Sequence, residues 1–197
     1  RNCDNEPLVN GYAFVYTKNS VSNPKILPVN NGQIEQAFSS CKEGEYGVVV
    51  IDADTGEVSD EIDIIINEDG ITNLDLLQTC PGTGGGVFEG SITLTTQEEV
   101  EIFGSLGYSE ITGDIHIEAQ QGINSLASLS RLKTVGGQIF IRSSVESLTG
   151  LQNLQTVGSN LILDFNFNLT TIAALKNLTS VGGYLAFGIN KNLSSLE

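Results

Sequence analysis

Apolar residues in the second half of this chain follow two alternating rhythms. Before Val135 they fall at steps of three, at Leu132, Leu129, Leu126 and Ile123; before Val157 at Leu154, Leu151, Leu148 and Val145; before Val181 at Leu178, Leu175, Ile172 and Leu169. After each of these points the step shortens to two, in the pairs Ile115/Ile117, Ile139/Ile141, Leu161/Leu163 and Leu185/Phe187. Period two followed by period three predicts a half-buried strand that leaves a sheet and returns through a tight, partly 3₁₀-like turn. Related phrases open the cycles, at Ile111-Thr-Gly-Asp, Val135-Gly-Gly-Gln, Val157-Gly-Ser-Asn and Val181-Gly-Gly-Tyr, so the spacings are 24, 22 and 24 residues. The two-residue difference falls between strand and leucine run, where a loop absorbs it. Gly113, Gly136, Gly137, Gly158, Gly182 and Gly183 precede the strands, where the backbone turns sharply and a Cβ would clash.

A fixed period in the twenties is the mark of a leucine-rich solenoid, each repeat adding one strand to a parallel sheet. Amphipathic helices also carry apolar steps of three, but four aligned Gly-rich turns oppose that reading. Residues 88–110 differ from the rest: Phe88-Glu-Gly-Ser-Ile-Thr-Leu94 predicts a strand. Thr95 with Glu98, or Thr96 with Glu99, then has capping-box spacing for a short helix bearing Val100, Phe103 and Leu106. This stretch is expected to close one end of the stack. At the other end Leu193 and Leu196 have nothing above them, so that end is expected to continue or to be covered by a partner.

The run Gly-Ser-Ile-Thr-Leu-Thr-Thr-Gln-Glu-Glu-Val100, then Ile-Thr-Gly-Asp-Ile-His-Ile117, then the leucine triplets ending in Val-Gly-Gly, resembles receptor L-domain-like repeats. It is similar to those of secreted and surface-anchored proteins of Bacteroidota, and the resemblance covers residues 88–197. It implies an extracellular or outer-membrane-associated recognition or adhesion module without catalysis, meeting a protein or glycan. An accessory subunit of an outer-membrane or secretion assembly, and a non-catalytic part of an exported hydrolase, are the alternatives.

The first eighty residues lack helical periodicity. Gly11–Thr17, Lys25–Val29, Gln33–Phe38, Tyr46–Asp52 and Glu61–Ile66 are predicted strands, separated by turn residues such as Asn30-Asn31-Gly32 and Asp54-Thr55-Gly56. Short strands at regular intervals predict a sandwich. Asp-Ala-Asp-Thr-Gly-Glu57 and the closing Leu-Asp-Leu-Leu-Gln-Thr-Cys80 make it similar to carboxypeptidase regulatory-like, transthyretin-like domains, which carry no peptidase activity. The expected organisation is mainly β: a small β-sandwich over 1–80, a Gly-rich linker over 81–87, and a capped leucine-rich-repeat solenoid over 88–197. Pro81-Gly-Thr-Gly-Gly-Gly86 lacks the Lys-Ser/Thr of a phosphate cradle and reads as linker.

Charge narrows the partners. The formal charge is −15 with nine basic residues, which opposes nucleic-acid binding. Residues 1–80 hold 4 basic and 14 acidic residues (−10), leaving 5 and 10 (−5) for the rest. No apolar run reaches the ~20 residues of a membrane-spanning helix. The sequence starts at Arg1 without a charged-then-apolar leader, so the signal of an exported protein is expected to have been removed or to lie outside this sequence. Cys41 follows a predicted strand and Cys80 closes the sandwich; a disulfide between them fits an oxidising compartment, with Cys3–Cys80 the alternative pairing. Cys3-Asp-Asn-Glu6 is also similar to the acidic stretch behind a lipidated lipoprotein cysteine.

Chemistry has little to work with. His116, the single histidine, has no nucleophile or metal-ligand company and reads as an outward strand residue. Asp52-Ala-Asp54 followed by Gly56 is half of a calcium loop, and Asp60, Glu61 and Asp63 could add oxygens, but the spacing fits a hairpin turn better. Asn168, Asn177 and Asn192 stand in glycosylation-acceptor patterns, yet their place in the repeat suits a turn or side-chain ladder. With 115/117 and their equivalents inward, the outward rows are Asp114/Gln138/Asn160/Tyr184, His116/Phe140/Ile162/Ala186 and Glu118/Arg142/Asp164/Gly188. Phe140 and Ile162, rimmed by His116, Arg142, Glu118, Asp164 and Tyr184, form the expected contact patch.

Overall fold

The chain divides into two compact units, Arg1–Gly85 and Gly86–Glu197, both made mainly of strands. The computed structural model describes residues 10–17, 24–30, 33–34, 44–52, 58–59, 62–67, 70–71, 79–80, 85–119 and 122–194.

The first unit is an antiparallel sheet of β1 (Asn10–Thr17), β2 (Lys25–Asn30), β3 (Gln33–Ile34), β4 (Gly44–Asp52), β5 (Val58–Ser59), β6 (Ile62–Asn67), β7 (Gly70–Ile71) and β8 (Thr79–Cys80). The main path runs β3-β2-β1-β4-β5-β8, and β6 branches from β4 to carry β7. β1 and β4 form its centre, with Ala13 opposite Val50 and Phe14 opposite Val49. Ala13–Tyr16 and Val48–Ile51 are buried without interruption, so both faces of this central pair are covered, where a strand with one wet face would alternate. The Asn30↔Gln33 pair closes a hairpin at the predicted turn. β5, β7 and β8, two residues each, are additions to the predicted strands.

The second unit is a stack of rungs, and each rung contributes to two parallel sheets rather than the single one expected. One sheet holds β10 (Ile92–Leu94), β12 (Ile115–Glu118), β14 (Ile139–Arg142), β16 (Leu161–Leu163) and β18 (Leu185–Phe187) in that order. The other holds β9 (Gly86–Phe88), β11 (Tyr108–Ile111), β13 (Thr134–Val135), β15 (Thr156–Val157) and β17 (Ser180–Val181). The Val-Gly phrases are therefore the corner between the sheets: the valine ends a strand of one and the glycines lead into the other. Gly86 and Val87, assigned by the sequence to the linker, start this unit's outermost strand, β9, which pairs with β11.

The step of three has a direct mechanical origin. Leu129 N–H donates to the Leu126 carbonyl and Leu132 to Leu129; Leu151 repeats this to Leu148, Leu154 to Leu151, Leu175 to Ile172 and Leu178 to Leu175. Each leucine is thus tied by an i→i−3 bond to the previous one, which brings all of them onto one side of the turn. Ile123, Leu126, Leu129, Leu132 and Val135 are buried, as are Val145, Leu148, Leu151, Leu154 and Val157. Each such leucine contributes roughly 1.5–3 kcal/mol by leaving water. Ile115, Ile139 and Leu161 also point into this core, whereas Leu185 is 48% exposed, because the last described rung has a neighbour on one side only.

In the first rung, α1 (Gln97–Ser105) replaces the leucine turn. Thr96 is its N-cap: the hydroxyl accepts from Glu99 N–H at 3.1 Å and the Glu99 carboxylate accepts from Thr96 N–H at 3.2 Å, closing the second of the two predicted capping boxes. Val100, Phe103 and Leu106 are buried, and Phe88, Phe103 and Tyr108 pack ring to ring at 5.3–5.6 Å. Gln97 fastens the helix to the next rung, its Oε1 accepting from Asn124 and Ser125 amides. Thr96→Ala should cost about 1 kcal/mol, seen as a small drop in the denaturant midpoint and faster exchange of the Glu99 amide. An unchanged midpoint would show that the helix is held by packing alone.

Candidate ligand-binding surface

Parallel pairing sets equivalent residues of successive rungs side by side. His116, Phe140, Ile162 and Ala186 stand in one row, in register across β12, β14, β16 and β18, and Glu118 lies opposite Arg142. The predicted outward rows therefore exist, but they differ in character.

The first row is occupied with holding the stack together. Ser91 Oγ accepts from Asp114 N–H at 2.8 Å, Asp114 Oδ1 from Gln138 N–H at 2.6 Å, and Asn160 Oδ1 from Tyr184 N–H at 3.1 Å. Asn160 Nδ2 reaches back to Gln138 Oε1. Ser91, Asp114 and Asn160 thus grip the next rung's backbone and Gln138 holds the Asn160 side chain, while Tyr184 is 58% exposed.

The middle row is half-buried rather than openly exposed, because neighbouring side chains cover one another's flanks. The His116 and Phe140 rings lie 5.9 Å apart. His116 Nδ1 sits 3.5 Å from Glu118 Oε1, and its Nε2 is covered and has no hydrogen-bond partner among the described residues.

Arg142 turns toward a feature not read from the sequence. Its guanidinium carbon lies 4.8 Å from the centre of the Phe165 ring, and Phe165 meets Phe167 edge-on with centroids 6.0 Å apart. Lys191 Nζ is 5.5 Å from the Phe167 ring centre. Phe165 has φ of 55°, the left-handed region that bulky residues avoid. The rings border an open recess of about 490 Å³ lined by Ala119, Arg142, Ser143, Ser144, Phe165, Phe167 and Asn168.

Unequal repeat length creates this recess. Three residues separate Ile141 from Val145, but five separate Leu163 from Leu169. The short connection at Arg142–Ser144 thus sits back from its longer neighbour, whose additional residues display the two phenylalanines. Between the two phenylalanines, Asn166 is fully buried and bridges rungs: its Oδ1 accepts from Ser143 N–H at 2.8 Å and its Nδ2 donates to the Ile141 carbonyl at 2.9 Å. Asn190 repeats the motif one rung on, accepting from Asn166 N–H and donating to Leu163. Asn168 and Asn177 do the ladder duty expected of them, donating to the Ser144 and Gln152 carbonyls; Asn192 makes no such bond among the described residues.

Other expectations fall elsewhere. Cys3 and Cys41 lie outside the described residues, so neither pairing is described; Cys80 pairs with Val58 in β8. Asp54, Asp60 and Glu61 also lie outside them. Asp52 is buried at the end of β4, and among the described residues no three His, Cys, Asp or Glu side chains converge as metal ligands. No helix among the described residues is long and apolar enough to cross a membrane. Comparison of the chain with protein-family models, with curated proteins and with solved structures finds no match in any of the three.

Proposed function

We propose that the chain is a non-catalytic recognition or adhesion module of a bacterial cell surface: a leucine-rich solenoid of receptor L-domain type preceded by a small β-sandwich. The solenoid reading is supported by parallel strands stacked in register and by leucine turns built from i→i−3 bonds. The surface location rests on the sequence resemblance. The observation that carries the function is the His116–Phe140–Ile162 row, a continuous half-buried apolar strip on a rigid sheet, with Tyr184 and Arg142 beside it. Rigid elements hold side chains at fixed spacing, so little ordering entropy is lost on binding.

The test is a glycan array probed with the full chain and with its Phe140→Ser/Ile162→Ser variant. The double variant should lose at least about ten-fold in affinity, or ~1.4 kcal/mol, while keeping the parent's circular dichroism and melting point. Unchanged binding would remove the strip from the ligand surface, and loss of fold would mark both residues as core.

A further inference from the structure

We infer that the recess between the Arg142–Ser144 and Asp164–Asn168 connections binds a carboxylate-bearing sugar, a uronate unit of an acidic glycan. The inference rests on the recognition reading above and gives it a ligand class and a second site. Four observations lead there.

The first is charge. The second unit has five basic residues, Arg131, Lys133, Arg142, Lys176 and Lys191, in a chain of net charge −15. Two of the five meet the same pair of rings. Neither the Arg142 nor the Lys191 side chain forms an ion pair or hydrogen bond with the described residues. Glu118, opposite Arg142 in register, has its carboxylate beside His116 instead. A guanidinium stacked on an aromatic face keeps its N–H edge free, and that planar fork matches a carboxylate with two parallel bonds.

The second is the pair of rings. Phe167 is 47% exposed and Phe165 is held at a strained φ that leaves its ring under the guanidinium. Strain of this kind costs of order 1–3 kcal/mol and persists where the surrounding structure requires it. A pyranose presents an apolar C–H face and a polar rim, the arrangement such a ring accepts.

The third is unspent hydrogen-bonding capacity at the right scale. The Ser144 hydroxyl and Asn168 Oδ1 have no partner among the described residues, although Asn168 Nδ2 is fixed on the Ser144 carbonyl at 3.2 Å. The recess volume, about 490 Å³, lies within the range of small-ligand sites, roughly 300–1,000 Å³.

The fourth separates a sugar from an acidic peptide. A peptide gains affinity chiefly through main-chain bonds to an open backbone edge. Here the amides of Ala119, Ser143 and Ser144 are already used, on the Arg142 carbonyl, Asn166 Oδ1 and the Ile123 carbonyl. That stretch offers a main chain no run of open amides to pair with, while the side chains of Arg142, Ser144 and Asn168 suit hydroxyls and a single carboxylate.

Calorimetric titration of the full chain with a galacturonic acid tetrasaccharide tests this, with the neutral galactose tetrasaccharide and hexaglutamate as comparison probes. The acidic sugar should bind, at least about ten-fold more tightly than either, and should weaken as salt rises. Arg142→Gln should lose ten-fold or more and Lys191→Gln a few-fold, with circular dichroism unchanged. If Arg142→Gln does not fold, Lys191→Gln and Phe167→Ala, both at exposed positions, carry the test and should each weaken binding.

A folded parent that ignores the acidic sugar overturns the inference, as does equal binding of the neutral sugar or of hexaglutamate. The Phe140→Ser/Ile162→Ser variant keeps the two proposals apart. If it binds the uronate normally while Arg142→Gln does not, the recess stands even where the strip fails. If it loses the uronate while Arg142→Gln binds as the parent does, the ligand is on the strip and the recess is overturned.

Discussion

Asn166→Ala is expected to destabilise the second unit by roughly 2–5 kcal/mol, the largest loss from any single polar side chain in the stack. The side chain is fully buried and serves two backbone groups of the rung below, the Ser143 N–H and the Ile141 carbonyl. Alanine strands both, and each orphaned buried group costs about 1–3 kcal/mol. In denaturant unfolding the midpoint should fall sharply, and the Ser143 amide should lose its protection against hydrogen exchange before amides two rungs away do. Asn166→Asp separates the two bonds. It keeps the acceptor for Ser143 but removes the donor to Ile141 and places a charge in a dry site, so at neutral pH it should be worse than alanine. Burial raises that carboxyl's folded-state pKa above its unfolded value. Stability of this variant is then greatest below the unfolded pKa and falls as pH rises through the folded one. If the alanine variant unfolds at the parent's midpoint, water replaces the amide there and the ladder is not what holds the rungs.

How much of this was legible beforehand follows from what a linear pattern records. The leucine step of three and the strand step of two are periodicities, and they located the turns, the core and the outward rows. The Thr96–Glu99 box is a local signature with a local cause, so it was readable too. The second sheet was not, because β13, β15 and β17 are two residues long and no period fits in two residues. Gly86 and Val87 were masked by composition: a glycine run looks like linker even where its last member enters a strand. Phe165 and Phe167 stand in a connection, and nothing in a hydropathy pattern announces a φ of 55° or a guanidinium arriving from the previous rung. The available signal was the change in spacing from 22 to 24, which reads as slack until the neighbouring rungs are set side by side. Asn166 is the same kind of case. A polar residue between two phenylalanines looks exposed until its rung-to-rung alignment with Ser143 and Asn190 is seen. Long-range register decided each of these.

The corner glycines make the strongest claim about the stack itself, and Gly158→Ala tests it. Gly158 does not need its freedom of φ; it needs to lack a side chain. A Cβ there would fall on the Gly136 carbonyl of the rung below, just as one on Gly136 would fall on Thr112 and one on Gly182 on Gly158. The obstruction is backbone, which cannot swing aside as a side chain end can. The rung must therefore lift, and with it the bonds from Gly158 N–H to the Val135 carbonyl and from Gly182 N–H to the Val157 carbonyl. Overpacking a tight site costs about 1–3 kcal/mol, more where backbone must move, and the upper end is expected here. Because each rung touches only its neighbours, the damage should be directional. Hydrogen exchange should rise through 159–194, which lose their seat on the stack, while α1 and β12 remain protected. Gly122→Ala provides the contrast: its φ is 108° with nothing within 4 Å of a built Cβ, so it carries conformational strain alone. It should cost about 1–2 kcal/mol without splitting the stack in this way. If the two alanine variants give the same exchange pattern, close stacking of the corners is not the reason for glycine at Gly136, Gly158 and Gly182.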